Sequence, residues 1–239
     1  HIKILLFCSK TTLILSLCSD FFARLRPSFH AMTQYDVLII GGGPAGCKCA
    51  EVLAHGGKKV GLIEKNFIGG ICLNFGCIPS KTYLYVAEIL AIIKKAKRHG
   101  VTVGEPEAVW DDMKKRKDQN VKMLGMGLTK KLTDAGVDII EGKGALVGEH
   151  EVQVGDTTYQ ADDIVLAHGT RSLFLSIMQR GKYVISSREI LDLPAIPKSL
   201  CIIGGGVTGV EMASIFAALG TKVTIIEKQT ALLPTQDKE

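Results

Sequence analysis

Two cysteines five positions apart, Cys72 and Cys77, stand in the segment Gly69-Gly-Ile-Cys-Leu-Asn-Phe-Gly-Cys-Ile-Pro-Ser-Lys81. Two thiols in reach of one another can cycle between dithiol and disulfide and so pass two electrons at a time. In a regular helix, residues five apart are separated by about 7.5 Å of axial rise, beyond the usual Cα range of a disulfide. The chain must therefore bend between them, and Gly76 gives it the freedom to do so. Pro79 suits the first turn of a new helix. That places Cys77 at or just before a helix N-terminus, where helix amides and a cation such as Lys81 favour the thiolate. A zinc site would need two further ligands at recognisable spacing, and the sequence has none, so no metal is expected. Two unlinked loop cysteines are the reading that spacing alone leaves open.

The other five cysteines do not form a framework. Cys8 and Cys18 lie in the opening segment, and Cys47, Cys49 and Cys201 fall in stretches that read as buried helix or strand. An odd total of seven argues against a secreted disulfide scaffold and suits a cytoplasmic chain. The formal charge is +5, but residues 1–31 carry Lys3, Lys10, Arg24 and Arg26 against Asp20, which leaves +2 for the remainder. That is too little to argue for nucleic acid or a membrane surface as partner. No uninterrupted apolar run reaches the roughly 20 residues of a spanning helix. Met32 stands just before a strong strand pattern, so residues 1–31 read as an upstream non-native segment or a leader.

The elements that must position the cysteine pair are written into an internal repeat. Residues 35–65 read YDVLIIGGGPAGCKCAEVLAHGGKKVGLIEK, and residues 199–228 read SLCIIGGGVTGVEMASIFAALGTKVTIIEK. In both, an apolar run enters G-x-G-x-x-G, an amphipathic stretch follows, and a second apolar run closes on a glutamate. Gly41 to Glu64 spans 23 positions, as does Gly204 to Glu227. This is the pattern of a dinucleotide-binding βαβ unit, present twice in an α/β chain. Gly41 and Gly204 permit the turn out of the strand, Gly43 and Gly206 let backbone approach a pyrophosphate, and Gly46 and Gly209 let the helix pack closely. Glu64 and Glu227 are placed to accept from a ribose diol, and a carboxylate there repels a 2′-phosphate, so the second site should prefer NAD over NADP. One such fingerprint could be a glycine-rich turn in an unrelated α/β protein. Two copies with matching strands and acids argue against that.

Between the copies, Pro79–His99 reads as a long helix ending at Gly100, and Ala108–Asp134 as a second one interrupted by Gly125 and Gly127. The run Lys114-Lys-Arg-Lys117 reads as a solvated helix face. Short β-rich runs from Val137 to Ala167 suggest an antiparallel meander returning to the main sheet, and Pro194 and Pro197 mark the boundary before the second copy.

The string GGICLNFGCIPSK at 69–81 resembles the active-site motif of dihydrolipoamide dehydrogenases, and the order of segments from about Tyr35 onward is similar to that of class I pyridine nucleotide-disulfide oxidoreductases. The resemblance implies a Rossmann-like FAD-binding domain with a β-meander over residues 32–197, followed by the start of a second Rossmann-like, NAD-binding domain over 198–239. It implies that the first fingerprint holds FAD, helped by Lys65, Gly70, Lys81, Gly144 and Gly169, and that the second holds NAD. It implies that Cys72 exchanges with dihydrolipoamide or another dithiol, that Cys77 contacts the flavin, and that Lys81 pairs with Glu211. The expected activity is NAD-dependent oxidation of the dithiol through FAD, in a homodimer when full-length. A related disulfide or metal-ion reductase, or a non-catalytic FAD-binding fragment, is the alternative.

Two departures from that pattern stand out. His168 and Ser172 occupy positions in Ala167-His-Gly-Thr-Arg-Ser172 where relatives carry other residues. Relatives also continue into a central domain and an interface domain that supplies a His–Glu acid/base pair, and none of the six histidines here occupies that base's position. Residues 1–239 alone are thus expected to show little dithiol dehydrogenase activity.

Overall fold

A computed structural model describes residues 34–172, 174, 181–234 and 236–237. Met32 and the expected upstream segment 1–31, with Cys8 and Cys18, lie outside the described residues. Packing divides the chain into two compact units, one holding the described residues up to Gly70 together with Leu128–Gly169, the other Ile71–Gly127 with the residues from Thr170 onward. The boundary at 197/198 concerns which cofactor each stretch holds, and it remains a proposal.

The first unit is built on a six-stranded sheet in the order β3-β2-β1-β6-β5-β4. Its strands are β1 (Gln34–Ile40), β2 (Val60–Glu64), β3 (Asp138–Glu141), β4 (Gly144–Gly148), β5 (Glu151–Val154) and β6 (Thr157–Leu166). β1 runs parallel to β2 and to β6, and β2 runs parallel to β3. The meander is therefore shorter than the expected 137–167. Asp138–Glu141 joins the parallel half, and only β4, β5 and β6 form antiparallel pairs. Nothing in the short run distinguishes the two, since β3 has four residues and a parallel partner chosen by the tertiary fold.

Strand alternation sends the apolar residues of β1 to both faces. Val37 and Ile39 pack with Val60 and Leu62 on one side, against Cys47 and Ala50 of α1 (Pro44–His55) and Leu132. Leu38, Ile40 and Ile63 pack on the other side with Val152 and Val154 of β5. Burial on both faces explains why these strands read as continuous apolar runs.

In the second unit, α2 (Gly70–Phe75) contributes Ile71–Phe75, and α3 (Cys77–Ala96) follows it after Gly76. A 3-10 turn at Lys97–His99 ends on Gly100 at φ 77°, so the expected helix 79–99 begins two residues earlier and tightens in its last turn. Together, residues 70–99 have the length and composition of a membrane span, the only such stretch among the described residues. Gly76 breaks it, however, and Tyr83, Ala87 and Leu90 of α3 are buried.

Further along lie α4 (Trp110–Asp134), a 3-10 turn at Glu189–Asp192, and the second repeat: β7 (Ser199–Ile203), α5 (Val207–Ala218) and β8 (Lys222–Ile226). α4 runs through Gly125 and Gly127 without a break, because tertiary packing outweighs the roughly 1 kcal/mol that each glycine costs a helix. β7 and β8 are parallel. Cys201, expected to be buried, is exposed on this two-stranded sheet. The core of the second unit gathers Tyr83, Trp110, Met113, Ile190, Leu191 and the α5 residues Met212, Ile215 and Phe216. Trp110 packs at a tilt between Tyr83 and Phe216 at ring-centroid distances of 5.0 and 5.8 Å. Its indole N–H donates to the Leu193 carbonyl at 2.7 Å and the Tyr83 hydroxyl to that of Leu191 at 2.9 Å, so neither polar end is stranded.

The basic run on α4 is not wholly solvated. Lys117 is 5% exposed and its ammonium is held by Asp118 at 2.8 Å and by Asp192. Burial pulls its pKa down, but the two carboxylates outweigh this and leave it above the ordinary lysine value. The stabilisation from this cluster is fully present below the ordinary lysine pKa and is lost only as pH climbs through the higher folded value. Asp192→Ala leaves the buried ammonium one partner short and is expected to lower stability by about 1–3 kcal/mol. Lys117→Met removes the charge, keeps the volume and should stay within about 1 kcal/mol of the parent. Urea unfolding of both variants checks the ranking, and the reverse order rejects it.

Candidate functional site

Each fingerprint folds into the same local device. Gly41 and Gly204 leave their strands at φ 112° and 110°, values that only glycine adopts readily. Their amides donate to the carbonyls of Ile63 and Ile226 at 2.8 and 2.9 Å, which ties each turn to the neighbouring strand. A Cβ on Gly46 would lie 1.9 Å from the Gly41 carbonyl oxygen, and one on Gly209 would lie 2.0 Å from that of Gly204. The third glycine is thus required by helix-to-turn contact.

The middle glycine is a different case. Gly43 and Gly206 sit at φ −74°, where any residue is comfortable, and a Cβ on either would meet nothing within 4 Å. Nothing within either unit demands glycine there. The open space in front of the first turns of α1 and α5, neither of which has a side-chain cap, is what a pyrophosphate needs. The residues present therefore fit a dinucleotide in both copies.

Glu64 and Glu227 also brace their own turns. Glu64 accepts from the amides of Gly42 at 2.7 Å and Asn66 at 2.8 Å, and Glu227 accepts from those of Gly205 at 2.6 Å and Gln229 at 2.8 Å. The Gln229 and Gly205 amides hold the Glu227 carboxyl below the usual carboxylate range. A carboxylate has lone pairs left after two such bonds, so acceptance from a ribose hydroxyl remains open to both. The repeat runs further than the sequence showed. Gly69 donates to the Gly42 carbonyl at 2.7 Å and Leu233 to that of Gly205 at 2.8 Å, each donor at positive φ, 89° and 52°.

Other expected cofactor residues fall at varied places. Gly70 has φ 55°, and a Cβ there would come within 2.7 Å of the Gly43 Cα, so the two backbones touch at the first turn. Gly169 has φ 66° and lies two residues after Ala167, whose amide donates to the Ile40 carbonyl at 2.8 Å at the end of β1. Lys65 is exposed at the end of β2. Gly144 is explained by packing alone, since a Cβ would press on Ile40, Ile63 and Val152 at 3.2–3.3 Å. His168 is exposed, with Nδ1 3.0 Å from the Gly169 carbonyl oxygen. Cys47 is buried, its thiol donating to the Gly42 carbonyl at 3.0 Å and pushed up in pKa by burial, which makes it a core thiol rather than a reactive one.

The cysteine pair belongs to the second unit. Cys72 lies within α2 rather than in a loop, and Gly76, at φ −145° and ψ −107°, breaks the helix so that α3 starts at Cys77. The bend leaves the two thiols, both free, close enough to bear on one another's ionisation. Burial first, then the Cys77 thiol, pushes the Cys72 pKa up to about 11, while Lys81 pulls the other way. Lys81, expected to favour the thiolate of Cys77, is a lowering influence on Cys72, where it is outweighed. Lys81 Nζ lies 2.5 Å from Glu211 Oε1 on α5. The other carboxylate oxygen of Glu211 accepts from the hydroxyl of Ser80 at 3.1 Å, a residue the sequence did not single out although it sits inside the same motif. Among the described residues no cluster of His, Cys, Asp and Glu could hold a metal ion.

Residues 35–239 match the family described as "Pyridine nucleotide-disulphide oxidoreductase". The chain is similar to dihydrolipoyl dehydrogenase of Acholeplasma laidlawii, 40% identical over 213 residues, covering 86% of this chain and 63% of that protein. It is 38% identical over 212 residues to the dihydrolipoyl dehydrogenase of Mycoplasma genitalium, covering 86% and 46%. Among solved structures it is similar to the HOCl-induced flavoprotein disulfide reductase RclA from Escherichia coli, with a TM-score of 0.73 at 32% identity over 85% of this chain and 44% of that one. The chain spans about half the length of most of the relatives it matches.

Proposed function

Because the chain belongs to the pyridine nucleotide-disulphide oxidoreductase family, we propose that it is the front part of an enzyme that oxidises dihydrolipoamide with NAD, using FAD and the Cys72–Cys77 pair. The observation that carries this reading is the helix break at Gly76, which sets the Cys72 and Cys77 thiols to bear on one another beside the Lys81–Glu211 ion pair within one unit.

The residues of this chain divide the work. Gly41, Gly43 and Gly46, the first turn of α1 and Glu64 would hold FAD, with Lys65, Gly70, Lys81, Gly144 and Gly169 assigned to it by resemblance. Gly204, Gly206, Gly209 and Glu227 would hold NAD. When bound, these cofactors supply a two-electron acceptor and a final hydride acceptor.

Starting from the disulfide form, a substrate thiolate attacks Sγ of Cys72, the Cys72–Cys77 bond breaks, and Cys77 leaves as a thiolate. The second substrate thiolate then attacks the substrate sulfur of the mixed disulfide and releases Cys72. The substrate has lost two electrons and become a disulfide, and the pair has gained them. Lys81 steadies the negative charge that develops on the pair, and Glu211 fixes where Lys81 stands.

Anaerobic addition of dihydrolipoamide to the FAD-loaded protein tests the reading. Starting from the disulfide form, the expected result is two electrons taken up by the cysteine pair as one dithiol is oxidised per protein, and two further electrons for each FAD that bleaches. A Cys72–Cys77 disulfide that the dithiol leaves intact would reject it. Similarity to RclA, whose name is that of a disulfide reductase, supports a second reading, reduction of a different disulfide, which a panel of disulfides with NADH would reveal. A homodimer and a cytoplasmic location are further parts of this proposal.

A further inference from the structure

Ser80 is 2% exposed and lies between the two halves of the thiol site. Its hydroxyl stands 3.3 Å from the carbonyl oxygen of Cys77 and 3.1 Å from Glu211 Oε2. Its amide donates to the Gly76 carbonyl at 2.9 Å, which seats the residue in the first turn of α3. A serine hydroxyl has one proton to give. The charge-assisted bond to a carboxylate is the stronger of its two options, so the proton goes to Glu211. With Oε2 engaged there, only Oε1 is left for Lys81, at 2.5 Å.

We propose that Ser80 is a positioning residue for the thiol chemistry: it holds the Glu211 carboxylate in a one-oxygen grip on Lys81 and so preserves the positive field that Lys81 exerts on the cysteine pair. The inference rests on the reading of Cys72 and Cys77 as a redox pair, and it adds a residue which that reading does not require. Glu211 is partly accessible, with 25% of its side chain exposed, so it has room to turn once released. Without the Ser80 bond both carboxylate oxygens turn to the ammonium, neutralise more of its charge and leave the pair with less help in ionising. Lys81 acts on Cys72, Glu211 pairs with Lys81, and the Arg188 guanidinium lies 4.3 Å from the Phe75 ring centroid on α2. Arg188 should act equally in every variant below.

The test is the pH profile of alkylation by iodoacetamide of the full chain in its reduced form, followed by mass spectrometry of Cys72 and Cys77. Ser80→Ala is expected to move the ionisation midpoint upward and to slow alkylation below that midpoint by about threefold. The same substitution in a Glu211→Gln background should add no further change. A Ser80→Ala profile that coincides with the parent's, or an equal shift in both backgrounds, overturns the inference, because Ser80 would then act through Cys77 or not at all. The redox reading survives either result. It fails instead if the two parent cysteines alkylate with unrelated profiles, which also removes the basis for Ser80. Circular dichroism of each variant shows whether the protein is folded, and a Ser80→Thr protein that keeps the hydroxyl should return the midpoint to the parent value.

Discussion

Replacing Cys72 with serine is expected to end the single-turnover reduction of the protein by dithiols, a step that needs no net dehydrogenase activity, with a loss of at least about a thousandfold in its rate, because a hydroxyl can neither form the mixed disulfide nor accept the electron pair. Cys77→Ser should cost as much by the same chemistry, since the pair acts as one unit and half of it stores nothing. The two variants differ in what they leave behind. With Cys77 replaced, Cys72 loses the neighbouring thiol that helps to push its pKa up to about 11. Burial remains, so its midpoint should fall only part of the way toward that of an ordinary thiol. In that variant Cys72 should be alkylated faster at neutral pH than in the parent. Neither substitution touches the glycine turns, so both proteins should bind FAD with parental affinity, and NADH should still reduce an artificial dye through the bound flavin. Rates of dithiol and dye reduction measured side by side check this. Equal loss of both activities would mean that the serine variants are misfolded or that the cysteines serve the cofactor, and retention of the dithiol activity would remove the pair from the mechanism.

The glycine fingerprints were legible because they are local. Each requirement, a positive φ at Gly41 or a missing Cβ at Gly46, is set by backbone a few residues away, and such demands leave a fixed spacing in the chain. The need for a bend between Cys72 and Cys77 was equally local, and Gly76 provides it. What stayed hidden depends on partners distant in sequence. Lys117 looks like any member of a basic helix face until Asp192, 75 residues on, closes over it. Ser80 differs from other serines only through Glu211, 131 residues away. The pairing of Lys81 with Glu211 crosses a similar gap and was reached by resemblance, not by spacing. Cys201 went wrong in the opposite sense: its apolar strand implies a covering layer, and the described residues leave that face of β7 open.

The two kinds of glycine in the first fingerprint make opposite predictions, and the contrast tests the cofactor assignment without any enzyme assay. Gly46→Ala places a methyl group 1.9 Å from a backbone oxygen that has nowhere to go, because Gly41 is itself bonded to Ile63 and pressed against Ala167. Helix and turn must separate, so the protein should lose about 3 kcal/mol or more of stability, and FAD binding should weaken with it. Gly43→Ala puts its methyl into open space at an ordinary φ, so stability without cofactor should change by less than about 1 kcal/mol. The same methyl stands where the pyrophosphate must approach the first turn of α1, so FAD affinity should drop at least about tenfold. Thermal melts of the cofactor-free variants and quenching of FAD fluorescence separate the two effects. The second copy repeats the experiment on its own ligand: Gly209→Ala should behave like Gly46→Ala, and Gly206→Ala should spare the fold while weakening NADH alone. If Gly43→Ala binds FAD as the parent does, the open space before α1 is not where the pyrophosphate sits, and the first fingerprint loses its assigned cofactor even though its fold stands.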